Sequence, residues 1–253
     1  MHALHQFLLL HVLTCVGQNT HGSEIIHGKK APEHSMLYMV SVQNSDKHHV
    51  CGGFLISENF VLTAAHCDDP NPSVVIGTHN LKKADDSKRY SVTKFKHPSY
   101  DNVGNGNDIM LFKLSSNVGL NNRVQTIPLP TQEGNTKENE ECSVAGWGYT
   151  EPGETERRMA DELRVVNVSI IKPSVCQEAW NGLPANVICA GGYHTNKGFC
   201  QGDSGGPLVC KGVAVGIVSF NHMANCNYPH YPNVYTDISK YLSWIKEILK
   251  KNN

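Results

Sequence analysis

Residues 202–207 read Gly-Asp-Ser-Gly-Gly-Pro. A serine hydroxyl is a weak nucleophile, so a reactive serine needs a base to take its proton and donors to hold the resulting oxyanion. Because glycine lacks a Cβ, this run can turn sharply enough for the N–H groups of Gly202 and Ser204 to face one concavity. A glycine-rich run alone is typical of an ordinary loop. Its interpretation therefore depends on motifs elsewhere in the chain.

Two upstream motifs supply the partners that a reactive serine needs. His66 lies in the mostly apolar run 62–67. Its occurrence together with the other two motifs distinguishes it from the other histidines. Asp108 opens the apolar run 108–114, where an unpaired carboxylate would be costly to bury. A carboxylate beside an imidazole fixes its tautomer and stabilises the imidazolium formed during proton transfer. Together with Ser204, these residues predict a nucleophilic triad.

The three motifs, in the order His66, Asp108 and Ser204, resemble those of the chymotrypsin-like serine proteases. The resemblance covers about residues 25–250, and the run 107–111, Asn-Asp-Ile-Met-Leu, looks most like the granzymes and mast-cell granule proteases. It implies a serine endopeptidase that hydrolyses protein or peptide substrates through an acyl-enzyme and needs no cofactor. It also implies that the first two triad residues come from one barrel and the third from another.

The N-terminal residues predict secretion. Residues 7–16 form an apolar run that is too short for a membrane span and is typical of a secretory signal. We expect a signal peptide over 1–22 and a pro-peptide over 23–24. The resemblance implies that the mature chain begins at Ile25 and that its new ammonium pairs with Asp203. The product would be secreted or stored in a secretory granule, without membrane attachment after signal removal.

Cysteine usage fits a secreted protein. Of the nine cysteines, Cys15 falls in the predicted signal, so eight remain. Their even number and the absence of a C-x-x-C pair favour disulfides over a metal site. The resemblance implies four pairs: Cys51–Cys67, Cys142–Cys210, Cys176–Cys189 and Cys200–Cys226.

Short apolar runs separated by turn residues predict an all-β fold. We expect two antiparallel six-stranded β-barrels packed together within one protease domain, 25–253. Barrel one would span about 36–130 and barrel two about 137–237. Residues 238–250 place apolar side chains at helical spacing, which predicts a C-terminal α-helix packed on the core.

By the resemblance, six positions form the specificity pocket: Gly198, Phe199, Ser219, Phe220, Asn221 and Asn233. Gly198 lies where trypsin-like members carry Asp, which argues against cleavage after Lys or Arg. Phe199 would narrow the floor, and the two asparagines stand where glycine is usual. These features predict a small or medium uncharged residue before the scissile bond. The alternatives are a chymase-like preference for Phe or Leu, and a protease-like binding protein with a blocked pocket.

Ser219, Phe220 and Asn221 would also offer backbone groups for pairing with a substrate strand. Asn167 begins the one sequon without proline, and its glycosylation requires an exposed strand edge.

The remaining features are compatible with an ordinary globular enzyme. His48, His49 and His222 are interpreted as solvated loop histidines rather than metal ligands. The formal net charge of −1 gives no indication of nucleic-acid binding. We expect a monomer with serpin-type inhibitors as partners.

Overall fold

A computed structural model describes residues 25–134, 136–150, 158–224 and 226–252. These residues form two closed six-stranded antiparallel barrels and a C-terminal helix, which confirms the predicted fold class. The predicted signal peptide and pro-peptide, residues 1–22 and 23–24, lie outside the described residues. Within the described ranges, no helix has the length and apolar character needed to cross a membrane.

A short strand, β1 (Lys29–Lys30), precedes the first barrel. The barrel itself consists of β2 (Met39–Gln43), β3 (His49–Leu55), β4 (Phe60–Thr63), β5 (Ser73–Ile76), β6 (Arg89–Lys96) and β7 (Met110–Leu114). Its strands neighbour one another in the order β2-β3-β4-β7-β6-β5, and β5 pairs again with β2 to close the barrel.

The second barrel consists of β8 (Glu141–Gly146), β9 (Arg164–Ile171), β10 (Val187–Ala190), β11 (Pro207–Cys210), β12 (Val213–Phe220) and β13 (Val234–Asp237). Its order is β8-β9-β10-β13-β12-β11, and β11 returns to β8. This is the strand order of the first barrel repeated. Strand β1 adds to the outer edge of the second barrel by pairing with β9.

Alternation along the strands explains why the barrels close around apolar cores. In β9 the exposed residues Asn167 and Ser169 alternate with buried Val166, Val168 and Ile170. Successive side chains of a strand point to opposite faces, so this pattern gives one inward and one outward face. Burying each large apolar side chain contributes about 1.5–3 kcal/mol.

Two α-helices complete the part of the fold that the structure describes. The C-terminal helix α2 (Leu242–Asn252) continues a 3₁₀ turn, and Ile238, Tyr241 and Ile245 from this segment join the core of the first barrel. The chain therefore leaves the second barrel and packs back onto the first. The short helix α1 (Pro173–Ala179) begins with Pro173, whose fixed φ suits the first helical position.

The 3₁₀ turns span Ala65–Cys67, Leu81–Lys83, Asp86–Lys88, Val103–Asn105, His222–Ala224 and Ile238–Tyr241. Four disulfides join Cys51 to Cys67, Cys142 to Cys210, Cys176 to Cys189 and Cys200 to Cys226. Each of the four closes within one half of the molecule.

Candidate active site

The loop that carries Ser204 is pressed against the first barrel by glycine contacts. The N–H of Gly52 on β3 donates to the carbonyl oxygen of Ser204 at 2.7 Å. Gly205 has φ +81°, and a Cβ there would overlap Thr63 Oγ1 on β4. Because both its backbone conformation and the space around it exclude a side chain, Gly205 allows the two barrels to approach this closely.

The structure brings His66 and Asp108 together at the same junction. His66 sits in the 3₁₀ turn after β4, tied to β3 by the Cys51–Cys67 disulfide. Its Nδ1 lies 2.7 Å from Asp108 Oδ2, and its backbone N–H donates to Asp108 Oδ1 at 2.9 Å. The side chain of His66 is 25% exposed, whereas that of Asp108 is 1% exposed. The imidazole is thus anchored on its buried side and open to solvent on the other.

Asp108 also accepts hydrogen bonds from two side chains of the second barrel. Ser219 Oγ donates to Oδ2 at 2.5 Å, and Thr236 Oγ1 donates to the backbone carbonyl of Asp108 at 2.8 Å. Burial opposes ionisation of Asp108, but the bonds from His66 and Ser219 hold its pKa below its ordinary value. Asp108 therefore remains an anion beside the imidazole. The Ser219 hydroxyl, expected in the pocket wall, is directed to this carboxylate.

The turn before Ser204 is built on Gly202. Its φ is +95°, and a Cβ would lie 2.8 Å from Gly148 Cα. Glycine is therefore required for both conformation and space. Ser204 itself is partly exposed. The N–H groups of Gly202 and Ser204 remain the candidate oxyanion donors.

His49 is a site residue that sequence reasoning missed. The prediction of a solvated loop histidine is wrong, because His49 begins β3 and its Nε2 donates to the carbonyl of Gly202 at 2.9 Å. Its Nδ1 accepts from Ser41 Oγ at 2.8 Å. The ring packs edge-on against Trp147, with centroids 5.6 Å apart. The sequence feature that could have identified it is its position two residues before Cys51, which places both side chains on the same face of β3.

Burial lowers the pKa of His49 from 6.5 to about 4, so the ring is neutral in the folded protein at neutral pH. In the unfolded chain the same ring takes up a proton below pH 6.5. Folding stability should therefore fall as the pH drops from 6.5 towards 4, by at most about 3 kcal/mol from this residue. Urea unfolding at several pH values measures this slope.

The variant His49→Gln keeps an N–H donor for Gly202 but does not titrate in this range. We expect a flatter stability profile between pH 6.5 and 4. The matched control is His48→Gln, since His48 is exposed and adjacent. A wild-type slope in His49→Gln would contradict the assignment.

The Asp203 side chain is fully buried, and its carboxylate accepts hydrogen bonds from two backbone N–H groups. Its Oδ1 accepts from Gly148 N–H and its Oδ2 from Cys200 N–H, each at 2.8 Å. Burial raises the pKa of Asp203 to about 7, although both bonds favour the anion. Ile25 lies buried in the core of the second barrel, and Ile26 packs against the Cys200–Cys226 disulfide. The ion pair between the Ile25 ammonium and Asp203 stays a prediction.

Two predicted pocket residues direct their side chains elsewhere. Phe199 is 3% exposed and packs edge-on against Tyr235, with centroids 5.3 Å apart, inside the second barrel. The expectation that Phe199 narrows the pocket floor is therefore wrong. Phe220 packs edge-on against Trp180 at 5.3 Å.

Around Gly198, the two asparagines hold a tyrosine that the sequence interpretation overlooked. Asn233 Nδ2 donates to Tyr228 Oη at 3.0 Å, and Asn221 Nδ2 lies 3.5 Å from the same oxygen. The Tyr228 hydroxyl in turn donates to the carbonyl of Phe199. The asparagines thus restrict the specificity pocket indirectly, by holding the ring of Tyr228 in place.

Asn167 is exposed on β9, where its Nδ2 donates to Glu141 Oε1 at 3.0 Å. The sequon therefore meets the exposure that glycosylation requires, and the modification stays a prediction. Among the described residues, Cys51, His66 and Cys67 lie close enough to share a metal ion. The two cysteines form a disulfide, however, and so have no thiolate to offer.

The chain is similar to proteins of a known family. Residues 25–245 match the sequence model of the trypsin family. The chain is 38% identical to granzyme-like protein 2 of Rattus norvegicus, over 96% of each protein, and 39% identical to mast cell protease 2 of Ovis aries, over 97% of each. It is similar to the solved structure of neuropsin, a serine protease expressed in the limbic system of mouse brain. The TM-score is 0.78 at 31% identity, covering 88% of this chain and 98% of neuropsin.

Proposed function

Because this chain belongs to the trypsin family of serine proteases, and is thus a serine endopeptidase, we propose that Ser204 is its nucleophile, His66 its general base and Asp108 the residue that orients His66. The observation that carries the proposal is the bond between His66 Nδ1 and a buried, ionised Asp108, 2.7 Å long. It leaves Nε2, the nitrogen that faces away from Asp108, to receive a serine proton.

The reaction follows from these roles. Ser204 Oγ attacks the scissile carbonyl carbon while His66 Nε2 takes the hydroxyl proton. The carbonyl oxygen becomes an oxyanion, which the N–H groups of Gly202 and Ser204 stabilise. His66 then gives its proton to the leaving amine, and the C–N bond breaks. Water, activated by the same imidazole, hydrolyses the acyl-enzyme and restores Ser204.

Activation is proposed to follow removal of residues 1–24. The ammonium at Ile25 would pair with Asp203, whose buried carboxylate has two neutral donors and a raised pKa. The Ile25 ammonium would supply the positive charge that the buried Asp203 carboxylate otherwise lacks. Because Asp203 immediately precedes Ser204, its position sets that of the candidate oxyanion donors.

We propose a preference for small or medium uncharged residues before the scissile bond. Gly198 provides no carboxylate for Lys or Arg, and Asn233 is fully buried beside it. The chymase-like alternative, cleavage after Phe or Leu, requires more space than this surrounding leaves. The alternative of a protease-like binding protein is disfavoured because the triad residues are present and His66 is bonded to Asp108.

The similarity to granzyme-like and mast cell proteases supports secretion or granule storage and encounter with serpin-type inhibitors. The substrate class is protein or peptide, and we propose that the protein acts as a monomer.

The experiment is to incubate the chain that begins at Ile25 with a mixed peptide library and with a fluorophosphonate probe, using Ser204→Ala as control. Labelling and cleavage after small uncharged residues, both absent from the control, support the proposal. Cleavage after Phe or Leu would keep the enzyme and overturn the pocket proposal. Neither labelling nor cleavage by folded protein would favour the binding-protein alternative.

A further inference from the structure

An aromatic side chain occupies the floor of the candidate specificity pocket. The ring of Tyr228 rests on Gly198, since a Cβ at that glycine would lie 2.7 Å from Tyr228 Cε2 and 2.8 Å from Cζ. The same Cβ would overlap Asn233 Oδ1. A substrate side chain that reached towards Gly198 would therefore meet the tyrosine ring and the asparagine first.

Hydrogen bonds fix the ring in this position. The Tyr228 hydroxyl donates to the Phe199 carbonyl and accepts from Asn233 Nδ2 at 3.0 Å. Burial raises the pKa of Tyr228 to about 12, so the hydroxyl keeps its proton throughout the neutral pH range. The Cys200–Cys226 disulfide closes the chain two residues before the tyrosine. The ring is thus held from the hydroxyl end and from the backbone.

A cavity of about 650 Å³ lies next to the same residue. Tyr228 lines this cavity together with Tyr193, His222, His230 and Tyr231. Tyr228 is therefore next to both Gly198 and this cavity. Shortening this side chain would remove the ring that lies over Gly198.

We propose that Tyr228 is the specificity-determining residue of this protease and restricts the residue before the scissile bond to glycine or alanine. The inference rests on the proposed function and narrows it. It places the selectivity in a residue outside the positions that the sequence pointed to. Asn221 and Asn233 act through the tyrosine as positioning residues.

The test compares kcat/KM on blocked tetrapeptide anilides that differ only in the residue before the anilide, which is Gly, Ala, Leu or Phe. The chain that begins at Ile25 should cleave the Ala or Gly substrate at least about 100-fold better than the Phe substrate, because a closed pocket discriminates by exclusion. In Tyr228→Ala the Phe-to-Ala ratio should rise by about 100-fold or more. Tyr228→Phe retains the ring and should keep the wild-type order.

Tyr231→Ala is the matched control. Tyr231 lines the same cavity, but it stacks on His222 with centroids 3.8 Å apart. Its removal should leave the order of the four substrates unchanged. If Tyr231→Ala and Tyr228→Ala shift the ratio equally, general loosening of the loop explains the effect and the proposal fails.

Fluorophosphonate labelling separates the two levels of failure. Wild-type protein that labels but cleaves after Phe as readily as after Ala overturns the role of Tyr228 and leaves the protease intact. Wild-type protein that folds but does not label overturns both proposals. Because the wild-type profile alone can overturn the inference, the test does not depend on Tyr228→Ala folding. Tyr228→Leu provides a second variant with an apolar side chain and no ring.

Discussion

Replacing Ser204 by alanine should lower kcat on a good peptide substrate by roughly 10⁴- to 10⁶-fold, the scale at which triad residues contribute. The physical reason is that alanine provides no oxygen to form the acyl-enzyme, while the backbone that shapes the oxyanion hole remains. Ser204 is partly exposed, and its backbone carbonyl already accepts from Gly52 at 2.7 Å, so the variant should fold normally. Steady-state kinetics together with thermal unfolding measure both properties.

The variants His66→Ala and Ser204→Ala, and the double variant, provide the control. Residues that act as one unit lose their effect together, so the double variant should be about as slow as either single variant. Multiplied losses would indicate independent roles and contradict the triad. Retention of substantial turnover in Ser204→Ala would show that another group is the nucleophile.

The second large effect is expected from the N-terminus. The chain that begins at Ile25 should exceed the chain that retains Ser23-Glu24 by roughly 10²- to 10⁴-fold in kcat/KM. This follows because removing one partner of a buried ion pair costs about 3–5 kcal/mol, and each 1.36 kcal/mol is about a factor of ten. Steady-state kinetics of both forms on one peptide substrate, at equal protein concentration, measure the difference.

The same pair predicts a pH-dependent stability difference between the two forms. Without a cation, the pKa of Asp203 is raised from 3.8 to about 7. The folded extended chain then binds a proton that the unfolded chain releases, so its stability is lost as the pH rises from 4 through 7. The loss is at most about 4 kcal/mol. The chain with a free Ile25 ammonium should escape it, and the difference between the forms should vanish near pH 4.

Asp203→Asn in the chain that begins at Ile25 is the matched variant. It removes the charge that the ammonium requires, and activity should fall about as far as in the extended chain. The variant should also show no stability slope between pH 4 and 7 from this position. An extended chain as active as the chain that begins at Ile25 would disprove the activation proposal.

The barrels, the C-terminal helix and the serine protease class were all predictable from sequence, because each depends on contiguous patterns. Alternation along β9 and the run around Ser204 can be recognised without knowing what lies opposite them. The junction geometry was less accessible. The hydrogen bonds from Ser219 to Asp108 and from His49 to Gly202 cross the contact between the two barrels. Local periodicity in the sequence does not predict such contacts.

The pocket was the least predictable part. The family resemblance identified Gly198 and Asn233, but not what fills the space between them. Tyr228 reaches Gly198 because its loop is folded back and closed by a disulfide whose cysteines are 26 residues apart. Phe199 was misjudged for a related reason. Its side chain lies in the core of the second barrel, a placement that the adjacent Gly198 does not reveal.

The disulfides leave the two barrels covalently joined by the main chain alone. None of the four links one barrel to the other, yet the candidate triad is assembled from both. A single cut in the polar part of the connection between β7 and β8, residues 130–140, would thus yield two separately cross-linked chains. Their reassociation, aided by the C-terminal helix packed on the opposite barrel, would be reported directly by recovered turnover. The protein is therefore a natural starting point for a split-enzyme reporter of molecular proximity.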